Sequence, residues 1–147
     1  MNRFLLAIAL TFAACAVHAQ QSEIFAPDGK AIKGYDVVAF FKEAKPVPGA
    51  DSLKYSYKGS DWLFASRDHL EAFKANPDMY VPQYGGYCAY GTSQGHKAPT
   101  EADTWTIVGD KLYFNYNMKV KNSWSKNREA LIEKADMQWP SLKDKAE

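Results

Sequence analysis

The sequence predicts an α+β fold, a small antiparallel sheet built from two β-hairpins and packed with short helices. Two observations carry the prediction. Apolar and polar residues alternate on both sides of a glycine turn, once around Gly59 and again around Gly109. The stretches after each hairpin carry apolar residues at helical spacing instead.

The first expected element is a short helix. In "GYDVVAFFKE", Gly34 breaks the chain and Asp36 can cap. Val37, Val38, Phe40 and Phe41 then supply the apolar face. A Pro/Gly loop follows over residues 44–52. The first hairpin pairs Leu53, Tyr55 and Tyr57 with Trp62 and Phe64, turning at Lys58-Gly59-Ser60. Ser66 then reads as the cap of a helix whose inward face is Leu70 and Phe73. Asp68 sits in its first turn, where the helix dipole favours it. Asn76-Pro77 stops that helix.

The second half repeats the plan. Trp105 and Ile107 lead to a Gly109-Asp110 turn, and Leu112, Phe114 and Tyr116 return from it. Aligning Gly59 on Gly109 places Trp62 over Leu112 and Phe64 over Phe114, a weak hairpin–helix pseudo-repeat. Leu131, Ile132, Ala135 and Trp139 mark a last helix, expected to end at Pro140.

The chain begins as an export signal would. Arg3 supplies a positive start, residues 4–14 are apolar, and Val17-His18-Ala19 suits signal peptidase. Cleavage after Ala19 is expected, leaving 147 − 19 = 128 residues in the periplasm or outside the cell. The alternative is a lipoprotein anchored through Cys15, since residues 12–15 loosely resemble a lipoprotein box. The expected organisation is a signal peptide over 1–19, an N-terminal arm over 20–32, one domain over 33–140 and a tail over 141–147. Loss of Arg3 takes the net charge from +1 to zero. That leaves no basic excess to hold a phosphate backbone, so nucleic acid is not expected as a partner. No later apolar run is long enough to cross a bilayer as a helix.

Of the two cysteines, Cys15 leaves with the signal, so Cys88 becomes a lone thiol in an oxidising compartment. It lies in "PQYGGYCAYGTSQGH", among Tyr84, Tyr87 and Tyr90. Gly85-Gly86 allows a tight reversal. A short helix follows, limited by Gly91 and Gly95, with Cys88 in its first turn. Such a position favours thiolate. The aromatic neighbours favour an inert packed thiol instead.

The stretches "KGYDVVAFF", "FASRDHLEAFKANPDMYVPQYGGYCAYG" and "DKLYFNYN" resemble the exported, single-domain branch of the YHS-domain family, from about Lys33 to Trp139. The family is named for a module found in copper-transporting ATPases and some multicomponent monooxygenases. The resemblance implies a metal-binding role, with copper foremost. Modules in those proteins commonly carry a cysteine pair, whereas this chain offers Cys88 alone.

The donors that could hold a soft metal are Cys88, His96, His69 and Met79, with Met118 and Met137 besides. Cys88 and His96 can converge only if the chain folds back at Gly95. No zinc spacing is present, and neither is a nucleophile elbow, a dinucleotide loop or a phosphate loop. The leading expectation is an exported, non-enzymatic binding protein that takes copper or another soft metal through Cys88. Two alternatives stay open. One is a thiol enzyme or redox protein using Cys88 with a histidine. The other is a module that binds a protein partner and no small ligand.

Overall fold

A computed structural model describes residues 23–145; the expected signal peptide, Cys15 and residues 20–22 lie outside them. The order of elements is α1 (Val37–Lys42), β1 (Ala50–Tyr57), β2 (Ser60–Phe64), α2 (Arg67–Ala75), α3 (Ala89–Ser93), β3 (Thr106–Val108), β4 (Lys111–Tyr113), α4 (Met118–Ser125) and α5 (Arg128–Leu142). Short 3-10 turns fill several of the connections. The fold class is α+β, as the two periodicities predict.

Both hairpins turn through two residues with positive φ, Lys58 (50°) with Gly59 (74°), and Gly109 (56°) with Asp110 (62°). That geometry matches the right-handed twist of the flanking strands. The pseudo-repeat extends to packing. Trp62 and Leu112 are buried, as are Phe64 and Phe114, and a helix follows each hairpin.

The hairpins do not share one sheet. They form two separate two-stranded sheets. The outer edge of β2 is met at Asp61 by Lys30, and the end of β4 is met at Phe114 by Cys88. Irregular segments thus occupy positions where one hairpin could have paired with the other. Side chains join the halves instead: the Phe40 ring lies edge-on to Phe114, with centroids 5.2 Å apart.

Residues 23–32 are not a free arm. Ile24, Phe25, Ala31 and Ile32 are buried, and the Phe25 N–H donates to the Gly85 carbonyl at 2.8 Å. Four apolar side chains removed from water outweigh the entropy of a loose terminus. Pro140 likewise lies inside α5 rather than ending it. Proline removes one backbone donor, but the helix closes its last turn by Lys143 N–H to Trp139 O at 2.9 Å. Lys97 reaches the same end and donates to the carbonyls of Lys143 (2.8 Å) and Lys145 (2.6 Å).

Two apolar clusters result. Phe73 centres the first, against Trp62 and Phe64 with ring centroids 5.0 and 5.1 Å away. The second gathers Tyr84, Ala89, Tyr113, Trp124, Leu131 and Ala135 under α5. β4 lies between the two, so Leu112 faces one cluster and Tyr113 the other.

Candidate functional site at Cys88

The site begins with a forced reversal. Tyr84, Gly85 and Gly86 all have positive φ, at 57°, 61° and 89°. A Cβ on Gly85 would stand 1.8 Å from the Glu23 carbonyl oxygen, and one on Gly86 would stand 2.2 Å from Ile32 Cδ1. Both positions therefore need glycine for space as well as for conformation. The reversal sends Cys88 alongside the strand end. Cys88 N–H donates to Ala98 O at 3.0 Å, and Ala89 N–H donates to Phe114 O at 2.9 Å.

Cys88 is the N-cap of α3, one position before the expected first turn. Its Sγ accepts from Gly91 N–H at 3.4 Å and from Tyr116 N–H at 3.3 Å. Its S–H donates to Asn115 Oδ1, with sulfur and oxygen 3.6 Å apart, and that oxygen also accepts the Tyr90 N–H at 3.2 Å. Cys88 is 2 % exposed and Asn115 is fully buried. Burial pushes the thiol up from its ordinary pKa, against a smaller downward pull from the N–H groups of Gly91, Tyr116 and Tyr90. The sulfur is therefore a neutral acceptor in the resting fold. Asn115 Nδ2, in contrast, is buried without a hydrogen-bond partner among the described residues.

The other predicted donors are placed as follows. Gly95 has φ 88° and folds the chain back, so that His96 N–H donates to Gly91 O at 3.1 Å. The imidazole lies over Gly91, where an added Cβ would come within 3.3 Å of Nε2. Cys88 and His96 thus share the α3 turn, with the thiol buried and the imidazole at the exposed surface. His69 belongs to a different constellation. Its Nδ1 is 2.6 Å from Oδ2 of fully buried Asp36. Met79 is exposed on the turn after α2. Among the described residues, no three His, Cys, Asp or Glu side chains come together as a metal cage.

The family model of the YHS domain matches residues 38–84. That segment of the chain is similar to a YHS domain. The matched YHS segment takes in most of α1, the first hairpin, α2 and the turn to Tyr84. His69 and Met79 fall inside it, and Cys88 and His96 lie beyond its end. A search of curated proteins finds no match to the chain, and neither does a search of solved structures.

Sequence reasoning missed Asn115 and Lys97. Strand alternation from Leu112 and Phe114 would turn Asn115 outward, yet it is fully buried because β4 ends at Tyr113 and a second cluster covers that side. Lys97 falls in a polar stretch that reads as an exposed loop. Its chain lies against Tyr87 and Trp139, with Nζ 4.9 and 5.7 Å from the ring centroids. The Asp36–His69 contact spans 33 residues, so no local signal marks it.

Proposed function

We propose that this chain is an exported, non-enzymatic YHS-type binding protein, with a soft metal ion such as copper as its ligand at Cys88. One observation carries the choice of binding over thiol catalysis. The Cys88 sulfur makes its hydrogen bonds to two backbone N–H groups and one amide oxygen, and no histidine stands among those partners. A thiol nucleophile needs a base within hydrogen-bond reach. His69, the partly buried candidate for that base, is bonded to Asp36.

The fold-back at Gly95 favours the soft metal. It brings an imidazole onto the turn whose amide points at the sulfur. Thiolate with imidazole suits a soft ion of low coordination number, and does not complete a closed tetrahedral zinc site. A bound ion would favour the charged sulfur over the burial that now opposes it.

Copper(I), supplied under reducing conditions, should raise the melting temperature of the wild type. At a free concentration a hundred times the dissociation constant the gain is about 2.7 kcal/mol. Cys88→Ala should fold and lose that gain, while an equal shift in both proteins removes Cys88 from the site. Export rests on the Arg3, residues 4–14 and Ala19 pattern. The intact mass of exported material should correspond to a chain beginning at Gln20; a mass retaining residues 1–19 refutes cleavage, and a lipid on Cys15 transfers it to the lipoprotein route.

A further inference from the structure

A cleft of about 280 Å³ opens between the N-terminal segment, the 77–85 connection and α5. It contains none of Cys88, His69 or His96. Three carboxylates line it, Glu23, Asp78 and Asp136, and each comes from a different segment. Among the described residues, no Lys, Arg or His lines it. Its walls include the Trp139 and Tyr84 rings, which meet edge-on with centroids 6.0 Å apart, and Pro82.

The carboxylates are held rather than loose. Asp136 Oδ1 accepts the Tyr84 hydroxyl at 2.8 Å, and Asp78 Oδ1 accepts the Tyr57 hydroxyl at 3.3 Å. Glu23 Oε1 takes Lys58 Nζ at 2.9 Å. Each of these bonds engages one carboxylate oxygen. Two cations stand close by. Lys58 is matched by Glu23, and Lys97 lies against the Trp139 ring while donating to the end of α5. Three carboxylates against these two ammonium groups leave one negative charge among the named residues, and concave walls concentrate the field of such a charge.

We propose that this cleft is a binding site for a small organic ammonium ion, separate from the Cys88 site. Its volume is just below the usual range for small-molecule sites and suits a ligand of amino-acid size. The carboxylates meet the charge, and the indole with the proline meets the alkyl part. An aromatic wall attracts a cation as well as apolar carbon. The backbone at Tyr84 and Gly85, both at positive φ, holds this wall in place against Glu23.

The test is a titration of the full exported chain, followed by the indole N–H resonance of Trp139 in an amide NMR spectrum. The resonance is assigned by its loss in Trp139→Phe. The probe is 1,4-diaminobutane, with uncharged 1-butanol as the control. A saturable shift at millimolar diaminobutane, with none from butanol, is the expected result. Asp136→Asn, which keeps an acceptor for the Tyr84 hydroxyl, should bind at least tenfold more weakly at an unchanged melting temperature. Glu23→Gln serves as a second variant should Asp136→Asn fail to fold. A blocked lysine, N-acetyl-lysine methylamide, binding more tightly than diaminobutane would assign the same site to a protein lysine instead of a free amine. No saturable shift, an equal response to butanol, or undiminished binding in both variants overturns the proposal.

Discussion

Asp36 and Cys88 both cap a short helix, and both are buried beneath distant segments. Asp36 accepts from Val38 N–H (2.9 Å), Ala39 N–H (3.2 Å) and Ala65 N–H (2.9 Å), and it meets His69 Nδ1 at 2.6 Å. Its two oxygens hold the start of α1, the end of β2 and α2 together. Cys88 draws longer bonds from Gly91 and Tyr116, as sulfur must, and the Nδ2 of its neighbour Asn115 has no partner among the described residues. The carboxylate is a clasp with four donors around it. The thiol is a weak acceptor next to spare polar capacity, which is where a ligand can still alter the balance. The difference teaches that two buried caps of similar position need not share a role. Saturation separates them.

Removing the clasp should have the largest effect. Asp36→Ala strips four donors of their acceptor, one of them a largely buried imidazole. A loss of about 3–5 kcal/mol is expected, read from urea unfolding. A variant within about 1 kcal/mol of wild type would show that the Asp36 bonds contribute little, and the contrast would fail.

Cys88→Ala should cost less, about 1–2 kcal/mol near neutral pH, from the lost cap and the lost buried sulfur. The pH dependence sharpens the point. The folded chain holds the thiol proton more tightly than the unfolded chain does, because burial raises the folded pKa. The stability this contributes is fully present below the unfolded thiol's pKa and is lost as pH rises through the folded value. The gap between wild type and Cys88→Ala should therefore narrow from neutral pH into the alkaline range. A gap that stays constant or widens in paired urea titrations would mean that the sulfur is not held as a buried neutral acceptor.

Much of the fold was legible in the sequence because its signals are local. Period-two alternation and glycine turns marked both hairpins, and Asp36 and Ser66 marked the starts of α1 and α2 as caps, which they are. Lys58 and Asp110 take positive φ beside their glycines, as a tight hairpin turn demands. The candidate site was legible only as far as the chain's own neighbourhood. Gly95 was recognised as the one place where His96 could return toward Cys88, and the chain does fold back there.

The rest was decided by tertiary structure. Whether the hairpins join, whether residues 23–32 pack and where Asn115 points each depend on which remote segment arrives first at an edge or a face. Gly85 and Gly86 could be recognised as turn-makers from sequence, but only the fold reveals that Glu23 and Ile32 press against them. The Asp36–His69 and Cys88–Asn115 contacts span 33 and 27 residues, and the Lys97 bonds to the end of α5 span 46 and 48. Backbone propensity acts over a few residues. Burial and the satisfaction of polar groups act across the whole core, so the surroundings of Cys88 and the acidic cleft exist only once the chain has closed on itself.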